Sequence, residues 1–163
     1  MGIGFKVSNR SLMAALAAAA IVALALTACS STPDPTQVSG SIVATPAVNP
    51  SVSKRPSPVL VRVYELKAAN AFNAADFVSL YQRDQAELGA DVVAREEMTL
   101  QPGEKRPYSK TLAPETRYIA VFAAYRDLEH ARWRAVVPVR VGQKQKLSIQ
   151  ADELSVSATV EKP

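Results

Sequence analysis

From residue 38 onward, apolar and polar positions alternate with a period of two in run after run. That is the signature of strands that bury one face. Trp133, Ala135, Val137, Val139 and Val141 share one face of such a run, and Arg132, Arg134, Val136, Pro138 and Arg140 share the other. This reads as a half-buried antiparallel strand with a wet side. Pro138 cannot donate to a ladder and so points to an edge or a bulge. Residues 118–125 are apolar on both faces and read as a central strand, joined to the previous one by a turn over residues 127–130. Residues 59–66 set Val59, Val61 and Val63 on one face, and residues 38–45 hold Val38, Gly40, Ile42 and Ala44 in register. Residues 146–150 turn Leu147 and Ile149 inward, and residues 155–160 turn Val156, Ala158 and Val160 inward. Residues 97–101 and 105–112 flank Pro102-Gly103, a pair suited to the central positions of a type II turn, where glycine takes positive φ. Roughly seven or eight strands with short turns predict a mainly β fold: two packed antiparallel sheets.

One segment, about residues 73–88, breaks the alternation and predicts a small helical insertion. Asn73 can cap it, and Asp76 at the third helical position suits the positive end of the helix dipole. Phe72 and Phe77 have the spacing of a hydrophobic staple. Phe77, Leu80, Tyr81 and Leu88 fall on one face, which reads as the face that docks on the sheet. Gly89 can end the helix.

The N-terminus follows a different logic. Lys6 and Arg10 precede an uninterrupted apolar run over residues 12–26. The run is shorter than the ~18–20 residues of a membrane-spanning helix. It leads into Leu26-Thr27-Ala28-Cys29, which resembles the bacterial lipobox: small residues for the peptidase cleft, then a cysteine whose thiol takes the diacylglycerol. Cys29 is the chain's single cysteine. The expected organisation is a lipoprotein signal peptide over residues 1–28, a lipidated tether over 29–37 and a β-sandwich domain over 38–163. Acyl chains contribute ~0.8 kcal/mol per buried CH₂, enough for stable anchoring when several are present. Ser30, rather than an aspartate, follows the cysteine, which favours the outer membrane over inner-membrane retention.

Charge and composition remove several classes of function. The formal charge of +4 falls to about +2 once Lys6 and Arg10 are cleaved away. That is too weak for nucleic acid, which calls for a dense basic stripe. A single cysteine excludes a disulfide framework within the chain. His130 is the lone histidine and sits in a predicted turn with no nucleophile in a strained elbow near it. The acidic pairs Glu96-Glu97 and Asp152-Glu153 are neighbours on strands and point to opposite faces, so they make poor metal sites. Neither an enzyme nor a resident cofactor or metal is expected. A binding or structural module remains, either an assembly protein or a periplasmic lipoprotein that takes a small ligand or carbohydrate in a concave pocket.

Several segments, in order, carry a further resemblance: the lipobox, Arg62-Val63-Tyr64-Glu65-Leu66, Ala75-Asp76-Phe77 with Leu80-Tyr81, Leu100-Gln101-Pro102-Gly103-Glu104, Arg117-Tyr118-Ile119, Ala123-Ala124-Tyr125-Arg126-Asp127 and Trp133-Arg134. Together they resemble the TssJ (SciN-like) outer-membrane lipoprotein family of the type VI secretion system, over about residues 38–160. The resemblance implies a transthyretin-like sandwich with a small helical addition, facing the periplasm from the outer membrane. It implies a non-enzymatic role in assembling the membrane complex, by docking the periplasmic domain of the inner-membrane TssM protein, which is in complex with TssL. It also implies that the loop between the first two strands, about residues 47–57, contributes to the contact. Asn49, Pro50, Ser51, Val52, Lys54 and Arg55 are the contact residues expected there, with the prolines stiffening the loop and so lowering the entropy lost on docking.

Overall fold

A computed structural model describes residues 34–163. The expected signal peptide and Cys29 lie outside the described residues. Strands β1 (Gln37–Ala44), β2 (Val59–Leu66), β3 (Val92–Leu100), β4 (Lys105–Thr111), β5 (Tyr118–Ala124), β6 (Arg134–Pro138), β7 (Lys144–Ala151) and β8 (Val156–Glu161) make two four-stranded sheets, in the orders β4-β1-β7-β8 and β3-β2-β5-β6. The predicted mainly β two-sheet sandwich with a small helical insertion is what forms. Its folded body begins before Val38. Thr36 is buried, its hydroxyl accepts the Gly142 N–H at 2.9 Å, and Gln37 opens β1.

Residues 59–66 explain the layering. Val59, Val61 and Val63 face the other sheet and meet Val38, Ile42 and Ile149 in the inter-sheet core. The alternate residues Tyr64 and Leu66 face outward, yet they are buried under the helical insertion together with Phe122. A strand covered on both sides is largely apolar on both sides, and the charges β2 does bury are paired, Arg62 with Glu97 and Glu65 with Lys110. Hence β2 and β5 carry little polar alternation while β7 alternates strictly between exposed and buried positions.

The sheets are not antiparallel throughout. β1 pairs with β7 in parallel, from Gln37 against Lys144 to Ala44 against Ala151. Periodicity along the chain shows which residues face inward, but not which partner, a hundred residues away, completes the ladder. Gly40 sits where the two backbones come closest. A Cβ built there would lie 1.7 Å from the carbonyl oxygen of Leu147, so only glycine fits this position.

The helical insertion is not one run over residues 73–88: it is broken at Ala75 and kinked again at Arg83, where φ is −141° and ψ 31°. A short α1 (Asn70–Ala74) is followed by α2 (Phe77–Leu88). Asn73 does not cap: its N–H already bonds the carbonyl of Ala69 at 2.9 Å within α1. Ala75 is extended, with φ −65° and ψ 144°, and breaks the helix. Asp76 then caps α2. Its carboxylate accepts the Ser79 N–H at 2.9 Å and the Ser79 hydroxyl at 2.8 Å, and the backbone bond above all holds it below the usual carboxylate range. Phe72 packs edge-on against Tyr64, whereas Phe77 packs against Phe122 and Trp133. The two phenylalanines serve different contacts instead of forming a staple. Gly89 ends α2 at φ 51°, as expected.

The predicted wet side of the 132–141 run is partly covered. Arg134 donates to the carbonyls of Phe72 and Ala75 at 3.1 and 2.8 Å, and Val136 packs beneath the helices. The strand proper is short, and Pro138 ends it at the sheet edge. Trp133 lies just ahead of it, half-buried, with its ring 5.7 Å from that of Phe122 and the Arg134 guanidinium 4.6 Å from its centre. Because Trp133 is only half-buried, Trp133→Ala is expected to cost about 2–3 kcal/mol, below the ~3–5 of a fully buried tryptophan. Urea unfolding measures this; a loss of a few tenths would mean the aromatic cluster holds without the indole.

Candidate functional site

The loop from Thr45 to Pro58 carries the chain from the first sheet to the second, across the end of the sandwich where β1 finishes. The register puts three other connections at this same end: residues 101–104, 125–133 and 152–155. Backbone bonds draw them together. The Thr45 N–H donates to Ala151 at 2.9 Å, and the Gly103 N–H donates to Thr45 at 3.2 Å. Gly103 has φ 79° and the Glu104 N–H closes back on Gln101 at 3.0 Å, which is the turn predicted for Pro102-Gly103. That turn links strands of different sheets.

The loop itself is well ordered by its own bonds. At its tip the Ser51 N–H donates to the Arg55 carbonyl and the Lys54 N–H to the Ser51 carbonyl, both at 2.8 Å. The Arg55 N–H also reaches the Ser51 hydroxyl at 3.2 Å, and Lys54 takes φ 61°. Val52 at the apex is fully exposed, and Lys54 and Arg55 are exposed beside it. Neither cation makes an ion pair among the described residues. Pro50 and Ser51 are half-buried at the base of the tip.

Asn49 is placed differently from its five companions. It is 3% exposed and takes φ 50°, a left-handed conformation that asparagine tolerates better than most residues. Its amide oxygen accepts the Arg126 N–H at 2.8 Å, its amide nitrogen donates to the Pro58 carbonyl at 2.7 Å, and its backbone N–H donates to Glu153 at 3.0 Å. A partner cannot reach it directly.

Between the tip and the 125–133 connection runs an open groove, lined by Pro50, Val52, Lys54, Arg126, Asp127 and Leu154 among others. Asp127 bonds His130 at 2.9 Å. That hydrogen bond, with a smaller contribution from the charge of Lys54, holds the Asp127 carboxyl below its usual range. His130 is exposed in its turn, as predicted. From sequence, Arg126 stands out only as part of the 123–127 segment and Leu154 not at all. Both come beside the loop through long-range folding, with Asn49 bonding Arg126 and the Glu153 carbonyl next to Leu154. Among the described residues no group of three or more His, Cys, Asp or Glu side chains could hold a metal.

The chain is thus a helix-backed two-sheet sandwich with an exposed, apolar-tipped loop at one end. The family model described as type VI secretion lipoprotein, T6SS-SciN (VasD, EvfM, TssJ), matches residues 36–154, and the chain belongs to this family. No curated protein sequence matches it. Among solved structures it is similar to the T6SS lipoprotein TssJ1 from Pseudomonas aeruginosa, with 36% identity and a TM-score of 0.76, covering 79% of this chain and 98% of that one. A chain in a structure described as a type VI membrane complex is 26% identical with a TM-score of 0.63, covering 74% and 95%. A chain in a structure described as the T6SS protein TssM C-terminal domain (869–1107) from EAEC is 24% identical with a TM-score of 0.58, covering 76% and 98%. Family membership makes the protein a non-enzymatic assembly lipoprotein of the type VI secretion system, lipid-anchored at the outer membrane and facing the periplasm.

Proposed function

We propose that the protein is anchored through lipidated Cys29 and holds the periplasmic domain of an inner-membrane TssM protein, itself in complex with TssL, through the loop of residues 47–57. Residues 1–28 are the signal peptide in this reading, and residues 29–37 lead from the lipid into the folded body. The observation that carries the docking role is the fully exposed Val52 on a loop tip closed by its own hydrogen bonds. A preformed apolar knob loses little conformational entropy on binding. Pro50, Ser51, Val52, Lys54 and Arg55 supply the contact, and Asn49 lies behind them.

The choice of partner has separate support. A chain of this fold occurs in the structure described as the TssM C-terminal domain (869–1107), and 76% of this protein covers 98% of it. That chain is therefore too short to be the whole TssM segment, and a sandwich alongside the segment is the simpler reading. The small-ligand alternative has less behind it: the inter-sheet space is filled by the side chains of the core, whereas ligand sites are enclosed concavities.

Two measurements test the proposal. Cys29→Ala is expected to abolish labelling by a fatty-acid analogue and to release the protein from membranes; unchanged label would refute the assigned anchor. Titration calorimetry of the detergent-solubilised protein against the purified periplasmic domain of TssM is expected to give micromolar affinity, near −8 kcal/mol. Replacing residues 51–55 with a Gly-Ser stretch should leave the fold intact, since loop-closure cost changes slowly, and should weaken binding at least tenfold, about 1.4 kcal/mol. Unaltered affinity would place the contact elsewhere.

A further inference from the structure

We infer that the docking surface is a composite of the loop and the connection after β5, that Asn49 is the positioning residue that locks the two into one preformed unit, and that its occupant is the same periplasmic domain. The inference rests on the docking role proposed for the loop and goes beyond it, because it assigns binding to residues remote in sequence. Three bonds from Asn49 tie three segments: to Arg126 after β5, to Glu153 between β7 and β8, and to Pro58 at the loop's own exit. Arg126 is bonded through its backbone N–H, which leaves its exposed side chain on the groove beside Val52 and Lys54. A second tie runs from the Tyr125 hydroxyl to the Asp152 carbonyl at 3.1 Å. The partner that seats Val52 therefore also meets the Arg126 side chain and the flank of Leu154. The chemistry that fits is an apolar notch with a carboxylate beside it, facing Lys54 and Arg126; Asp127 in the groove already holds His130.

Asn49 acts behind this surface without touching the partner. Its left-handed backbone sets the direction of the tip, and its amide fixes the distance from tip to Arg126. Glycine accepts the same φ without strain but supplies neither side-chain bond. Asn49→Gly therefore separates the bonds from the backbone turn. Aspartate keeps the oxygen that accepts the Arg126 N–H but sets its second carboxylate oxygen against the Pro58 carbonyl, which gives an independent variant that removes one side-chain bond and keeps the other.

The experiment uses the full lipidated protein in detergent and the purified TssM periplasmic domain, with binding kinetics at low and high salt and hydrogen exchange of the free protein. Arg126→Glu is expected to weaken binding at least tenfold at low salt, and less at high salt where charges are screened. Asn49→Gly, or Asn49→Asp in its place, is expected to raise exchange at the Lys54 and Arg55 amides, leave the strand amides protected, and slow association at least fivefold. Wild-type binding by Arg126→Glu overturns the composite surface. Wild-type association by an Asn49 variant whose loop amides have lost protection overturns the positioning role. In either case a loop replacement that still abolishes binding leaves the docking role standing, whereas wild-type affinity in the loop replacement as well removes both.

Discussion

A Gly40→Ala chain is expected to lose much of its folded population, at a cost of about 4 kcal/mol or more. The added Cβ would lie 1.7 Å from the carbonyl oxygen of Leu147 and 2.8 Å from its carbonyl carbon. Both are backbone atoms of β7, so no flexible side chain can swing aside. Overpacking against side chains costs ~1–3 kcal/mol. Here relief requires moving β1 away from β7 and breaking ladder bonds in the middle of a parallel pair that runs from Gln37 to Ala44. The whole stability of a domain this size is ~5–15 kcal/mol, so the loss is a large share of it. Urea unfolding followed by circular dichroism measures the change. A shift below 1 kcal/mol would show that the two backbones separate without cost and that the close approach is not a constraint.

That glycine also marks how far the sequence could be read. Its place in register with Val38, Ile42 and Ala44 follows from alternation, as do the inward faces of β2 and β7, because burial of one strand face is a local pattern. Pro138 at an edge and the turn at Pro102-Gly103 were legible for the same reason: each follows from what a proline or glycine can do with its own backbone. The parallel partner of Gly40 was not legible, since no residue near it encodes a contact with Leu147. The helix start was displaced by three residues. Asn73 and Asp76 are both good caps by type, and only the extended backbone of Ala75 decides between them. Asn49 shows the limit at the candidate site. The family resemblance implied a contact residue, whereas Asn49 is buried and bonds Arg126, 77 positions away, and Glu153, neither of which the local sequence reveals.

Arg62→Met is expected to destabilise the domain by about 3 kcal/mol. Arg62 lies on the outward face of β2 and is 8% exposed. It bonds Glu97 on β3 at 2.6 Å and donates to the carbonyls of Leu80 and Tyr81 in α2 at 2.8 and 3.0 Å. Its guanidinium also sits 5.5 and 5.6 Å from the ring centres of Tyr81 and Phe122. Burial is the largest single influence and opposes the charge, but Glu97, Tyr64 and Asp84 together outweigh it and Arg62 stays protonated. Removing one member of a buried ion pair costs ~3–5 kcal/mol, because the other member is left unpaired. The lower end applies here. Arg95 contacts Asp84 at 3.1 Å and Glu97 at 2.6 Å, so these carboxylates keep one cation. The two α2 carbonyls lose their donor, and Tyr81 loses the cation under its ring. Urea unfolding reads the loss. A double-mutant cycle with Arg95→Met should show coupling, since each arginine covers for the other. Additive effects, or a loss below 1 kcal/mol for Arg62→Met, would mean that apolar packing alone holds α2 to the sheet.

The course of β1 has a mechanical consequence. In the proposed assembly the strand has the lipid on its upstream side and the docking loop directly downstream, so tension between the two membranes enters at Gln37 and leaves beyond Ala44. That tension acts along the strand axis. β1 is flanked by β4 on one side and β7 on the other, with rungs over nearly its whole length on both. A pull along the axis loads those rungs in shear, all at once, whereas a pull across it would unzip them singly. In that assembly the strand between the two points of attachment is also the one gripped from both sides. Under such a load the sandwich passes the force on as a solid body.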